Sequence, residues 1–376
     1  MLIGCNGGFQ NPGDAITDAQ LLAEEIRMFD LAVDLGFDSV WMVEHHFTNY
    51  FISPEPLLFL TWFAGRHRHI GIGTNVLVLP WHDPLRLTEN IILADNLTGG
   101  RLTLGFGRGL AHNEYEGFRV DLATSRERFM AYAKMILGGL RTGFVEADNE
   151  FISQPRVEIR PRLEHPMDGR IYAGTISPES SPVMAELGVG AMVVPQKPWP
   201  KTLADLQVYR DAWAGFHGPD RAPPRPHGGG LIYVGADADA SREMAYRYMG
   251  DHYRGLMDHY GLSRGAHKGV KGYEFYAGIA RHIEARGLDA AARDYADLLP
   301  WGTPDQVLDK LSIFRDEIGA GGYAPTFSYA GLPYPEVENS IRLFAAEVMP
   351  VLREWNTGPV GRTGAPGPAL HAVAGG

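Results

Sequence analysis

Short apolar runs alternate with helix-period stretches about eight times along this 376-residue chain, and no other feature constrains the fold as much. The chain opens with an apolar run at 2–6. Thr17-Asp18-Ala19-Gln20 then forms a capping box, followed by Leu22, Ile26, Phe29 and Val33 at spacings of four, three and four, with Gly36 as the stop. The run from Asp38 to Val43 reads as a buried strand that enters Glu44-His45-His46. Further strands are expected at 70–79, 101–107, 170–174, 189–195, 229–235 and 324–330. Helices are expected at 55–66, 84–97, 126–140, 179–187, 200–216, 239–260, 304–318 and 336–355.

Strands followed so regularly by helices call for a parallel sheet with crossover helices. Eight such units favour closure into a (β/α)₈ TIM barrel over an open doubly wound sheet. The fourth strand agrees. Leu102, Leu104 and Phe106 would face the helices, while Thr103, Gly105 and Gly107 are small enough for a crowded barrel axis. An open-sheet strand with incidental glycines is the plain alternative. Two stretches exceed simple connections: 142–169, and a long insertion at 261–302 between strands seven and eight. Residues 1–356 are therefore read as one barrel, and the Gly-, Pro- and Ala-rich 357–376 as a disordered tail.

With 34 basic and 45 acidic side chains the formal charge is −11, which speaks against nucleic acid or an anionic membrane as partner. The one cysteine, Cys5, leaves no intrachain disulfide and no thiolate zinc cluster. The amino terminus lacks the form of a secretory signal, and no apolar run is long enough to span a bilayer, so a cytoplasmic location is expected.

In a barrel of this kind, chemistry gathers at the carboxyl ends of the strands. Glu44-His45-His46 stands at such an end, where imidazoles beside a carboxylate can supply a general base or a proton shuttle. Alternation lets only one ring look inward, and His45 shares parity with Trp41 and Val43. A structural histidine at a strand end is the competing reading. No local metal motif is present, so no metal is expected. Gly105-Phe-Gly107-Arg108-Gly109 lacks the third spaced glycine of a dinucleotide fingerprint, yet Arg108 is placed to grip a phosphate. Thr175-Ile-Ser177-Pro-Glu179-Ser180-Ser181 joins a strand to a helix and is either an anion site at a helix start or a plain N-cap.

With these residues identified, the chain resembles the bacterial luciferase-like flavin monooxygenases over about residues 1–355. The most specific portion runs from Gly36 to Arg128. It includes Gly-Phe-Asp-Ser-Val-Trp-Met-Val-Glu-His-His-Phe, Gly-Thr-Asn-Val-Leu-Val-Leu-Pro80 and the segment Asp95 to Leu110. The turn at 177–180 and Trp301-Gly-Thr-Pro-Asp-Gln-Val307 also match.

The resemblance implies a barrel that binds reduced FMN, which meets O₂ to give a C(4a)-hydroperoxide and oxygenates an apolar organic substrate. It implies a separate flavin reductase as partner, and family barrels commonly pair, so a homodimer is open to it. By resemblance His45 acts in acid/base steps, and Glu114 fills a position that is often acidic in the family, placed to orient His45 or His46. Strand alternation gives His46 a supporting part. Arg108 and the turn at Ser177, Glu179 and Ser180 bind the FMN phosphate. Asn75, Val76 and Gly107 lie against the isoalloxazine, and a non-prolyl cis peptide is frequent at Thr74-Asn75-Val76. Luciferase α-subunits carry a reactive cysteine where this chain has Gly107, which points to ordinary oxygenation rather than light emission. The runner-up is a deazaflavin- or flavin-dependent dehydrogenase or reductase of the same superfamily.

Overall fold

The strand that begins the chain is hydrogen-bonded to the strand that ends the barrel. In this computed structural model, which describes residues 1–174, 179–262 and 274–355, Leu2 pairs with Gly322 in a parallel ladder. The barrel strands are β1 (Leu2–Asn6), β2 (Ser39–Met42), β3 (Gly71–Thr74) with its short continuation β4 (Leu77–Val78), and β5 (Leu102–Gly107). After a hairpin of β6 (Phe144–Asp148) and β7 (Ser153–Glu158) come β8 (Ile171–Gly174), β9 (Gly190–Val193) and β10 (His227–Leu231). A small outer pair, β11 (Tyr233–Val234) and β12 (Trp301–Gly302), precedes the final barrel strand β13 (Gly322–Thr326). All barrel pairings are parallel, and β3 bonds both β2 and β5, so the sheet closes at eight positions. The fold is the expected (β/α)₈ barrel.

The surrounding helices are α1 (Asp18–Asp34), α2 (Pro56–Arg66), α3 (Pro84–Thr98), α4 (His112–Phe118), α5 (Ser125–Thr142), α6 (Ser180–Leu187) and α7 (Trp199–His217). They continue as α8 (Ala238–His259), α9 (Glu274–Arg286), α10 (Leu288–Leu298), α11 (Pro304–Ile313), α12 (Tyr334–Leu343) and α13 (Met349–Glu354). The insertion between the seventh and eighth barrel strands thus carries α9, α10 and β12. The stretch at 142–169 holds the antiparallel β6–β7 hairpin.

Two apolar layers result. Leu102, Leu104 and Phe106 join the large core between strands and helices, as strand parity predicts. Trp41, Tyr172, Met192 and Ala324 form a separate cluster, with Val76 against it. Gly105 faces that inner cluster: a Cβ there would lie 2.3 Å from the Thr74 carbonyl oxygen and 2.6 Å from the Met192 sulfur. Only glycine fits so close an approach.

Several local expectations are corrected. The run at 70–79 is not one strand, because a cis Asn75–Val76 peptide separates β3 from β4. The run at 229–235 is also two strands, since Tyr233–Val234 leaves the barrel to pair with Trp301–Gly302. The last barrel strand covers 322–326 rather than 324–330. The expected helix at 336–355 is interrupted by a π turn at Phe344–Val348, just ahead of Pro350, which has no N–H for the ladder. In α1 the capping box is present, but the buried stripe is Leu21, Glu25, Met28, Phe29, Ala32 and Val33, and Leu22 is exposed. Glu25 occupies a core position because Gly8 N, Ser328 Oγ and Tyr334 Oη each donate to its carboxylate at 3.0 Å. The tail at 357–376 and Ser177 lie outside the described residues.

Candidate active site

At the end of β2 the chain turns, and His45 N donates to Ser53 O across an isolated bridge, which fixes the backbone from which both imidazoles project. His45 faces a cavity of about 240 Å³ at the strands' carboxyl ends. Its ring stacks on Phe51 and meets Tyr50 and His259 edge to face. His46 turns the other way, packing edge-on against Phe118 and Trp81.

Each histidine answers to its own buried carboxylate. Glu114, on α4, has Oε1 3.1 Å from His45 Nδ1 and 3.3 Å from His259 Nε2, and it accepts the His46 backbone N–H at 2.7 Å. Burial pushes the Glu114 carboxyl up, but the hydrogen bonds and charge of His259 and His45 outweigh that and hold it down to about 2. Burial lowers His259, against the pull of Glu114. Glu44 accepts from His46 Nε2 at 3.2 Å, from His82 Nε2 at 2.7 Å and from Val78 N at 2.8 Å. It thereby ties the strand end to β4. His252 lines the cavity as well. Burial, with His45 nearby, pushes it down to about 3, so it is neutral there.

The same cavity is bordered by Asn75, Val76, Gly107, Arg108, Glu179 and Ser180, so the described cofactor candidates converge on the space that His45 enters. Gly107 is close-packed: a Cβ would lie 2.2 Å from Val76 Cγ2. Ser180 opens α6, and Glu179 just before it has Oε2 buried without a hydrogen-bond partner among the described residues. Arg126, near the start of α5, also lines the cavity, as do Tyr260, Tyr276 and Tyr295. A larger cleft of about 1320 Å³ sits at the opposite end of the barrel. Its charged side chains, such as Lys134, Arg141, Arg162 and Glu164, are exposed, and no barrel strand among the described residues delivers its carboxyl end there. The chemistry belongs to the smaller cavity.

His259, His82 and Arg126 were not foreseen. Lone histidines and arginines on long helices or loops carry no local signal, and only the closed barrel brings them within reach of β2. No metal was expected, yet His45, Glu114 and His259 place three potential ligand atoms within 4.8 Å of one another.

A family model described as luciferase-like monooxygenase matches residues 3–320. The chain belongs to the luciferase-like monooxygenase family. Among its luciferase-like relatives, the alkanal monooxygenase alpha chain of Photorhabdus luminescens is 26% identical over 332 residues, covering 88% of this chain and 91% of that one. The crystal structure of a monooxygenase from Streptomyces bottropensis superposes with a TM-score of 0.76 at 25% identity, covering 94% of this chain and all of that one. The oxygenating constituent of 3,6-diketocamphane monooxygenase from Pseudomonas putida, solved with FMN, shares the fold with a TM-score of 0.70 at 16% identity, covering 93% and 98%. These luciferase-like relatives support a flavin-linked monooxygenase. No helix among the described residues is long and apolar enough to cross a membrane.

Proposed function

We propose that the chain is the oxygenase component of a two-component monooxygenase that takes reduced FMN from a separate flavin reductase. The observation that carries this reading is one cavity holding both a carboxylate-oriented imidazole, His45, and two guanidinium side chains, Arg108 and Arg126. Its lining fits the cofactor. Val76 and Gly107 offer a flat apolar edge for a ring system, and the arginines with the start of α6 suit a phosphate. When bound, reduced FMN supplies the electrons that activate O₂. The likeness to an oxygenating constituent solved with FMN supports the same cofactor.

The protein's own part is orientation and proton control. Glu114 holds His45 by Nδ1, so the other ring nitrogen is the one to give or take a proton at the substrate. The tyrosine and phenylalanine wall formed by Tyr50, Phe51 and Tyr260 excludes water and suits an apolar organic substrate. Leu58, Trp62 and Leu97 are exposed on α2 and α3, which supports pairing of two copies through that side.

The test is an anaerobic titration with reduced FMN and, in parallel, a reduced deazaflavin, followed by admission of oxygen. Tight 1:1 binding of reduced FMN and substrate-dependent oxygen uptake are expected. Preference for the deazaflavin without oxygen uptake would replace this reading by that of a dehydrogenase or reductase.

A further inference from the structure

Three donor atoms from three separate elements meet beside the cavity: His45 Nδ1 after β2, Glu114 Oε1 on α4 and His259 Nε2 at the end of α8. Their separations are 3.1 Å for His45–Glu114, 3.3 Å for His259–Glu114 and 3.2 Å for His259–His45. Nitrogen and oxygen ligands at about 2.0–2.1 Å from a tetrahedral zinc ion lie about 3.3–3.4 Å apart. The triangle is thus nearly the right size for one face of such a site.

Hydrogen bonding alone fills this triangle badly. If both rings donate to Glu114 Oε1, two N–H groups confront each other at 3.2 Å. If one ring instead accepts from the other, its lone pair faces the carboxylate. A cation meets three lone pairs and removes the conflict. Glu114 shows a second deficit: its side chain is fully buried, and Oε2 has no hydrogen-bond partner among the described residues. Among the described residues the anion is compensated at Oε1 alone, which leaves the buried Oε2 for a positive charge to meet.

The surroundings are those of ligands held in place. His259 Nδ1 lies 2.7 Å from Thr48 Oγ1, which accepts the hydrogen bond of an Nδ1–H and so leaves the Nε2 lone pair to a metal. The His46 N–H fixes Glu114, and the two ligand rings stand at 89° so that their nitrogens converge. Access exists on both sides. His45 and Glu114 border the 240 Å³ cavity, and His259 borders another of about 550 Å³. Two imidazoles and one carboxylate without thiolate suit Zn²⁺, Co²⁺ or Fe²⁺ rather than Mg²⁺ or Ca²⁺.

We propose that His45, Glu114 and His259 bind one divalent transition-metal ion, Zn²⁺ foremost, and that the bound ion withdraws His45 from proton transfer. The site stands on its own geometry. The inhibition it causes rests on the catalytic reading of His45 given above.

Co²⁺ added to chelator-stripped protein is the direct probe, because a low-coordinate histidine site gives visible d–d absorption. One equivalent is expected, displaced by Zn²⁺, with Zn²⁺ affinity followed by calorimetry. Second-shell changes at metal sites cost 10–100-fold, so His259→Ala and Glu114→Gln should each weaken binding by roughly a hundredfold or more. His69→Ala, at an exposed histidine, should bind as the parent does. Circular dichroism verifies folding, and His259→Gln replaces His259→Ala if the latter is unfolded. Absence of the Co²⁺ bands, or equal Zn²⁺ affinity in parent and variants, overturns the site. Zn²⁺ should also abolish coupled oxygenation at the concentration that fills the site. Stoichiometric binding without inhibition overturns the second half of the proposal and the role of His45, and leaves the metal site standing.

Discussion

His46 Nε2 lies 3.2 Å from Glu44 Oε1, and the His46 ring stays out of the cavity that His45 enters. Two neighbouring histidines therefore serve different carboxylates, and their substitutions should separate chemistry from architecture. A placed general acid or base contributes about 10²–10⁴-fold to rate. His45→Ala should keep its fold and its FMN affinity, lose product formation by that order, and divert oxygen to hydrogen peroxide. His46→Ala should leave coupling nearly intact and cost about 1–3 kcal/mol of stability, the worth of a buried bond to a carboxylate. Product and peroxide per reduced FMN, with a denaturant melt, decide it. Uncoupling by His46→Ala alone would reverse the assignment.

Arg108→Ala should weaken FMN by roughly tenfold or more, since a guanidinium–phosphate contact is worth about 1.5–3 kcal/mol. Riboflavin has no phosphate and should bind parent and variant alike. Arg126→Ala should behave in the same way. Equal losses for both flavins would make these arginines structural.

Gly107→Ala should disturb the flavin surface through Val76, whose Cγ2 would lie 2.2 Å from the new methyl group. Because Val76 lines the cavity, the expected result is weaker flavin binding in a protein whose barrel still forms. Unchanged affinity would show that Val76 gives way without consequence.

The Glu44–His82 pair sets a pH dependence. Burial opposes charge on His82, but the charge and hydrogen bond of Glu44 prevail and raise it above its ordinary 6.5. Burial likewise opposes the Glu44 anion, and His82, His46 and Val78 together lower it below its ordinary 4.5. The raised histidine contributes fully below its ordinary value and fades as pH rises through the folded one. The lowered carboxylate contributes above its ordinary value and fades as pH falls through the folded one. Both act between 4.5 and 6.5. His82→Gln should therefore lose most stability near pH 5.5 and least at alkaline pH. A loss independent of pH in thermal melts would contradict the ion pair.

What could be read from residues alone follows from the range of each signal. Strand alternation is local, so parity with Trp41 and Val43 told which histidine looks into the barrel. In α1 the buried stripe includes Phe29 and Val33 as periodicity predicts, but its first half falls on Leu21 and Glu25 instead of Leu22 and Ile26, because Glu25 takes a core place that periodicity reserves for apolar side chains. Helix α4 is seven residues of mostly polar sequence, too short for a periodic pattern, although it delivers Glu114. His259 is 214 residues from His45, and no spacing rule links them. Their meeting is a property of barrel closure.

The β6–β7 hairpin follows the last turn of α5 and runs back along that helix, so that its tip residue Phe151 lies under the Arg128 guanidinium, 4.9 Å away, while most of β7 is exposed. Its turn at Asn149-Glu150 consequently offers a port for splicing. A reporter domain or a reductase fused there would sit beside the first turn of α5, on the flank of the barrel that carries Arg126, and so close to the cavity mouth.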